Sequence, residues 1–427
     1  MHSIIQVAYS HNKIYNQIMN KLPTNWKEVK LGDIVYFNPK ESLIKGKIYK
    51  KVSMDCIKPR TREIIKYELD KFKGGSKFRN GDTLFARITP CLENGKIAQV
   101  SFLDDNEVGF GSTEFIVLRE KENTTLNDYI YYLFINDKIK NIAIKSMTGT
   151  SGRQRVQEDV LKYTIVNLPP LTEQKRIASI LSSFDDKIEL NNKTNKILEE
   201  MAQTIFEEWF INFNFPNANG KPYKKSGGEM INSELGGIPK GWKILTLKDI
   251  VNIVKGKKPT ATSDKITKKF TMPYLTIDCY NNEKSEYAEY NEKMHVKELD
   301  IVMIMDGNAG RIFYGKEGIL SSTMAKFVIE DENLNEIVFN FLKSIEYDLM
   351  YHTVGSVIQH ADKQYILNKK FCVPENNLKR LSDIFEEIRR KVALNKKENQ
   401  KLSGIRDSLL PKLMNPKGRR ADGRFRI

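Results

Sequence analysis

Two guanidinium forks flank a carboxamide in "TGTSGRQR" (Thr148 to Arg155). Arg153 and Arg155 carry the paired donors that match O6 and N7 of guanine, and Gln154 carries the donor and acceptor that match N7 and N6 of adenine. Thr150 and Ser151 beside them are further DNA-binding candidates in the same loop. The same mixture recurs in "KFKGGSKFRN" (Lys71 to Asn80), where Lys73, Lys77 and Arg79 are the candidates, and in "ARITPCLENGK" (Ala86 to Lys96), where they are Arg87 and Lys96. Later stretches repeat it: Lys257 and Lys258 in "KGKKPTATSDK", Asn308 and Arg311 in "DGNAGR", and Ser356, Gln359, His360 and Lys363 in "GSVIQHADK". The chemistry available to these residues is recognition of double-stranded DNA, by phosphate neutralisation and base-edge reading. For each one taken singly, an ordinary exposed loop residue is the competing reading.

The balance of 69 Lys and Arg against 54 Asp and Glu leaves a net charge of +15, which favours a polyanionic partner, although a lysine-rich surface alone would give the same sum. Signatures of catalysis are missing. "NLPPL" (Asn167 to Leu171) superficially resembles the Asn-Pro-Pro-aromatic motif of amino-methyltransferases, but Leu168 separates Asn167 from the prolines and no aromatic follows. No phosphate loop ending in Gly-Lys-Ser or Gly-Lys-Thr is present, no nucleophile elbow, and no ligand spacing among the five histidines. A non-catalytic chain without cofactor or metal is expected. Cys56, Cys91, Cys279 and Cys372 are far apart and read as thiols rather than as a zinc site or disulfide framework. No apolar run approaches the ~18 residues of a membrane span, and Met1 to Asn20 lacks a signal peptide's apolar core, so a cytoplasmic location is expected and no membrane partner.

The elements that must position these loops are written twice. "LPTNWKEVKLGDIV" (Leu22 to Val35) recurs as "IPKGWKILTLKDIV" (Ile238 to Val251), and "GDTLFARITPCLENGKI" (Gly81 to Ile97) has a looser echo in "LDIVMIMDGNAGRI" (Leu299 to Ile312). Gly149 of "MTGTSGRQRV" matches Gly355 of "TVGSVIQHAD". Each half reads as β-rich with some helix. Strands are predicted at Ile34 to Phe37, Thr83 to Ile88, Ile97 to Phe102 and Glu114 to Leu118, followed by a helix from Leu126 to Lys145. In the second half the strands are Tyr274 to Ile277, Ile301 to Met305, Ile312 to Tyr314 and Ala325 to Ile329, with a helix from Leu334 to about Tyr351.

A long helix closes each half. Ile177, Leu181, Phe184, Ile188, Asn191, Asn195, Leu198, Ala202, Ile205 and Trp209 alternate steps of four and three, the spacing of a coiled-coil seam. The second copy continues it at Leu381, Phe385, Ile388, Val392, Asn395, Asn399, Leu402, Arg406, Leu409 and Leu413. An antiparallel pairing puts Asn191 opposite Asn399 and Asn195 opposite Asn395, and apolar residues meet apolar ones along the rest, except where Arg406 faces Phe184. Buried amide pairs would penalise slipped registers; asparagines on a solvated face are the alternative.

These residues resemble the specificity subunit of a Type I restriction-modification system over nearly the whole chain. The resemblance is carried by "LPPLTEQKRIASILSSFDDKIELNN" with "EEWF" downstream, by "FPNANGKPYKKSGGEM", by "SELGGIPKGW" and by the duplicated order of domain and helix. It implies an α+β fold: two target recognition domains, β-rich and mixed α/β, separated by two long helices in an antiparallel coiled coil with pseudo-two-fold symmetry. It also implies that each domain reads one half of a split DNA sequence, and that the chain docks two methyltransferase subunits, with restriction subunits carrying motor and nuclease joining for cleavage.

The boundaries so implied are a first recognition domain at 1–167, a spacer helix at 168–211, a linker at 212–237, a second recognition domain at 238–372, a second spacer helix at 373–414 and a basic tail at 415–427. The competing class is a two-domain coiled-coil scaffold for protein partners whose charge is incidental; a free-standing nuclease or methyltransferase is disfavoured by the missing motifs.

Overall fold

The computed structural model describes residues 26–150, 152–280, 286–314, 316–355, 359–376 and 378–415. They form two compact units, one of residues up to 190 together with those from 398 onward, the other of residues 191–397. Each long helix therefore contributes a segment to each unit. Ser151, Ser356 and the basic tail from 416 lie outside the described residues.

In the first unit, Val35–Phe37, Phe115–Glu120, Thr83–Ala86 and Ile97–Gln99 lie side by side in that order, every pair antiparallel. A second sheet orders Glu68–Lys71, Ile48–Val52, Gly109–Gly111 and Ser76–Phe78, with one parallel pair between Ile48–Val52 and Gly109–Gly111. The runs of β-branched and aromatic residues do form strands, but they stop short of the predicted ends. After Ala86 the chain leaves the sheet because Arg87 and Ile88 pair with another loop: Val156 N donates to Arg87 O at 2.8 Å, and Ile88 bridges Arg155.

The predicted helix from Leu126 to Lys145 is two helices, Asn127–Ile135 and Asp137–Lys145. Asn136 separates them in extended backbone, and its side chain accepts a hydrogen bond from Lys138 N at 2.9 Å, capping the second helix. Asn127–Ile135 buries Tyr129, Ile130, Tyr131, Tyr132, Leu133 and Phe134. This is the core on which the first sheet and the long-helix residues Ile177 and Leu181 converge.

The second unit repeats the plan. Val251–Lys255, Met324–Ile329, Ile301–Ile304 and Ile312–Tyr314 form an antiparallel sheet in the same order. Tyr287–Ala288, Met272–Leu275, Gly318–Leu320 and His295–Val296 form the smaller sheet, again with one parallel pair, Met272–Leu275 with Gly318–Leu320. The predicted helix near 334–351 is likewise split, into Asn335–Ser344 and Glu346–Tyr351. The Asn-, Gly- and Lys-rich stretch between the halves holds a hairpin of Met230–Ser233 with Gly236–Pro239, and its Phe213 and Phe215 pack on Trp242 at ring separations of 5.6 and 4.9 Å.

The long helices span Leu171–Phe206 and Leu378–Leu413, 36 residues each, or about 54 Å at helical rise. Pro169 and Pro170 mark the start of the first, where Gln174, fully buried, donates to Pro169 O and Thr124 O at 2.9 Å each and so ties the helix to the first domain. Both helices take part in each core. In the first unit Ile177 and Leu181 share the core with Leu410 and Leu413; in the second, Ala202 and Phe206 share it with Leu381 and Phe385. Within each unit the segments run antiparallel, as the partners Phe206 with Phe385 and Asn195 with Asn395 require in one, and Asp185 with Arg406 and Lys187 with Glu398 in the other.

Candidate nucleic-acid interface

In the first domain, two of the three polar loops are stitched together. Thr89 N donates to Gln154 O at 3.1 Å and Gln154 N to Thr89 Oγ1 at 3.2 Å, while Thr148 and Arg155 exchange backbone bonds at 3.0 and 2.9 Å. The loop can fold back this tightly because Gly149 adopts φ 125°, a region closed to residues with a side chain. Arg153 is exposed and its side chain makes no hydrogen bond or ion pair among the described residues. Arg155 is exposed too but engaged: Glu114 accepts from its Nε at 2.9 Å and from its Nη2 at 2.6 Å. Gln154 is half-buried and Thr150 exposed.

The remaining candidates of the first domain divide by how far their charge is already used. Lys73 is exposed with no hydrogen bond or ion pair among the described residues. Lys77 donates to Glu41 O at 2.6 Å, and Arg79 grips the Glu41 carboxylate at 2.6 and 2.8 Å, a carboxylate shared with Arg119 at 2.7 Å. The Arg79 hydrogen bonds, opposed by burial and helped by Arg119, hold Glu41 below the ordinary carboxylate range. Lys96 donates to Met54 O at 3.1 Å, and Arg87 is half-buried beneath the loop it helps to hold.

The second domain brings its loops together by the same backbone bonds. Gly307 N donates to Gln359 O at 3.0 Å, Asp306 bridges His360, and Ala361 N donates to Met305 O at 2.8 Å. By these bonds Gln359 has the place in its loop that Gln154 has in the first domain, and His360 the place of Arg155. Asp306 accepts from His360 Nδ1 at 2.7 Å and pairs with Lys255 at 3.0 Å. Burial pushes the Asp306 carboxyl up, but the bonds from His360 and Lys255 outweigh it and hold the group below its ordinary value. Lys257, Lys258, Asn308, Arg311 and Gln359 are exposed and make no side-chain hydrogen bond or ion pair among the described residues, and Lys363, also exposed, reaches Ile253 O at 3.5 Å.

Along the helices, Asn191, Asn195 and Asn395 are buried, and Asn399 is half-buried. Asn395 Nδ2 donates to Asn195 Oδ1 at 2.7 Å. Arg406 does not lie against an apolar surface. It pairs with the buried Asp185, whose other oxygen accepts from Tyr132 Oη at 2.6 Å. Arg62 fastens the first domain to the same helix through Asp186 and Glu189, at 2.5 and 2.8 Å.

Glu41, Glu114 and Asp306 are the residues sequence reasoning missed. Asp306 stands in the same turn as Asn308 and Arg311, but a carboxylate carries the wrong charge for a phosphate contact. Glu41 and Glu114 are distant in sequence from the arginines they hold, so no local pattern points to them. Among the described residues no group of His, Cys, Asp and Glu is arranged to hold a metal, and no helix is long and apolar enough to cross a membrane.

Two loop clusters on duplicated sheet scaffolds, each joined to a long helix, define a class, and comparison with known proteins identifies it. The model of the Type I restriction modification DNA specificity domain matches residues 23–200 and again 239–403. The chain is 28% identical over 311 residues to the Type I restriction enzyme MjaIX specificity subunit of Methanocaldococcus jannaschii, covering 68% of each. It is 24% identical to the HindI specificity subunit of Haemophilus influenzae over 92% of this chain and 99% of that one. A crystal structure of a Type I restriction-modification S subunit from M. genitalium shares the fold, with a TM-score of 0.52 at 16% identity over 92% of this chain and 99% of the other. The chain belongs to the Type I restriction-modification specificity family, whose role in the complex is recognition of DNA sequence.

Proposed function

We propose that the chain reads a bipartite, asymmetric site in double-stranded DNA with one recognition domain per half-site, and that its long helices serve as the spacer that sets the gap. The buried asparagines of the seam act as register markers, because a slipped helix would leave each amide facing a leucine or valine. The chain docks two methyltransferase subunits, and through them the restriction subunits. It supplies recognition and spacing in the cytoplasm, while the bond chemistry belongs to its partners.

The observation that carries this reading is the pair of equivalent backbone bonds, Thr89 to Gln154 and Gly307 to Gln359, each followed by a different side chain, Arg155 or His360. One scaffold holding unlike readers is what two unlike half-sites require. Exposed Lys73, Lys257, Lys258 and Arg311 supply the sequence-independent phosphate contacts.

The test is reconstitution of the full chain with the methyltransferase subunits of its own system. Affinity for duplex DNA is expected to fall steeply with salt, and methylation to map to two separated blocks of fixed spacing. A protein-interaction scaffold would instead give a flat salt response and no site-specific methylation in any such complex.

A further inference from the structure

The same loop position in both domains carries a side chain whose inner edge is held by a carboxylate and whose outer edge is left over. Glu114 takes Nε and Nη2 of Arg155 from the side, at 2.9 and 2.6 Å. Of the five guanidinium protons, the two on Nη1 and one on Nη2 remain, and they form the terminal, end-on fork. Asp306 takes Nδ1 of His360 at 2.7 Å. With the Nδ1 proton held by Asp306, Nε2 is the outer edge of the ring, and in that tautomer it is an acceptor.

The two carboxylates reach this position from different parts of the scaffold. Glu114 precedes the strand Phe115–Glu120 and is fixed by its own backbone, whose carbonyl accepts from Arg87 N at 2.9 Å. Asp306 lies in the turn after Ile301–Ile304, and it is itself the residue that bridges His360. That unlike positions deliver the same contact to the same place argues against incidental surface ion pairs, which are of little worth when exposed.

We propose that Glu114 and Asp306 are positioning residues for base reading. Glu114 fixes Arg155 so that its terminal fork meets the O6 and N7 edge of a guanine in one half-site. Asp306 fixes His360 so that Nε2 meets the exocyclic amino group of adenine or cytosine in the other. The inference rests on the bipartite reading proposed above. Its physical content is twofold: a pre-oriented side chain loses less rotamer entropy on binding, and a partly neutralised one is less attracted to phosphates of any sequence.

The experiment uses the full chain with its methyltransferase subunits and a duplex library randomised across the site, with methylated products sequenced. Arg155→Ala and Glu114→Gln should each lower the preference for one guanine in one half-site, by about 5- to 150-fold at full loss of a bidentate contact, and leave the other half-site alone. Glu114→Gln should add nothing in the Arg155→Ala background, the signature of a residue that acts through another. His360→Ala and Asp306→Asn should behave likewise in the other half-site, at a position where adenine or cytosine is preferred; which of the two is read from the products. Unchanged preferences, an equal effect of Glu114→Gln without Arg155, or simultaneous loss in both half-sites would overturn the inference. If the carboxylate variants fail to fold by circular dichroism, Glu114→Asp and Asp306→Glu, which keep the charge but shift its place, are expected to lower the same preferences, and unchanged preferences in them would overturn the inference. A wild-type complex with no bipartite preference would instead overturn the function on which the inference rests.

Discussion

Asn395 donates its amide proton to the carbonyl oxygen of Asn195 across 2.7 Å, in a helix seam where both side chains are buried. An amide pair in an apolar seam stabilises less than leucine would, yet half of it is worse than none, because the remaining amide loses water and gains nothing. Asn195→Leu alone is therefore expected to lower the unfolding free energy by about 1–3 kcal/mol. The double change Asn195→Leu with Asn395→Leu should recover most of that loss. Urea denaturation of the four proteins of this cycle measures both values.

Asp185 and Arg406 should show the same asymmetry with a larger amplitude. Arg406 is buried, and removing it leaves the buried Asp185 charge without its cation, at a cost of about 3–5 kcal/mol; Asp185→Leu should cost less, because Arg406 keeps Asp407, which accepts from its Nη2 at 2.9 Å. Arg406→Leu is expected to be more damaging than Asn195→Leu, because among the described residues Asp185 then keeps only the hydrogen bond from Tyr132. Asp185→Leu combined with Arg406→Leu should be milder than Arg406→Leu alone, since no buried carboxylate is then left without its cation. Thermal melting of the four proteins side by side gives the ranking.

Glu41 makes stability sensitive to acid. Its carboxyl is held low by Arg79 first and by Arg119, against the opposing effect of burial. A depressed carboxyl contributes stability that is fully present above its unfolded value, near 4.5, and is lost as pH falls through the lower folded value. Glu41→Gln should thus cost on the order of 1–3 kcal/mol at neutral pH, and the gap to wild type should close in strong acid. Denaturation midpoints of the two proteins, taken from about pH 7 down to about pH 2, test the sign.

Much of this architecture could be read from the sequence because it rests on periodicity and repetition. Heptad spacing located both long helices, and the matched Trp26 and Trp242 located both domains. The apolar runs gave the central strands, but not their ends, since the chain leaves the sheet after Ala86 for bonds to a loop some seventy residues away, at Arg155 and Val156. The helix breaks at Asn136 and Ile345 were hidden because each flank keeps its apolar face. At the candidate interface the sequence named the cations and amides but not their state. Whether an arginine is free, as Arg153 is among the described residues, or held, as Arg155 is by Glu114, depends on a carboxylate distant in the chain. Arg406 shows the same limit: the spacing sets it against Phe184, and only the structure shows that the buried Asp185 is its partner.

If each domain reads its own half-site through equivalent loop residues, Gln154 and Gln359 test this most directly, being half-buried and exposed respectively at positions made equivalent by their backbone bonds. The measurement is methylation mapping at single-base resolution, on DNA treated with complexes carrying the wild-type chain, Gln154→Ala or Gln359→Ala. Wild type should give two separated blocks of sequence preference, with Gln154→Ala relaxing one block only and Gln359→Ala relaxing only the other. A single continuous block, or relaxation of both blocks by either change, would contradict it.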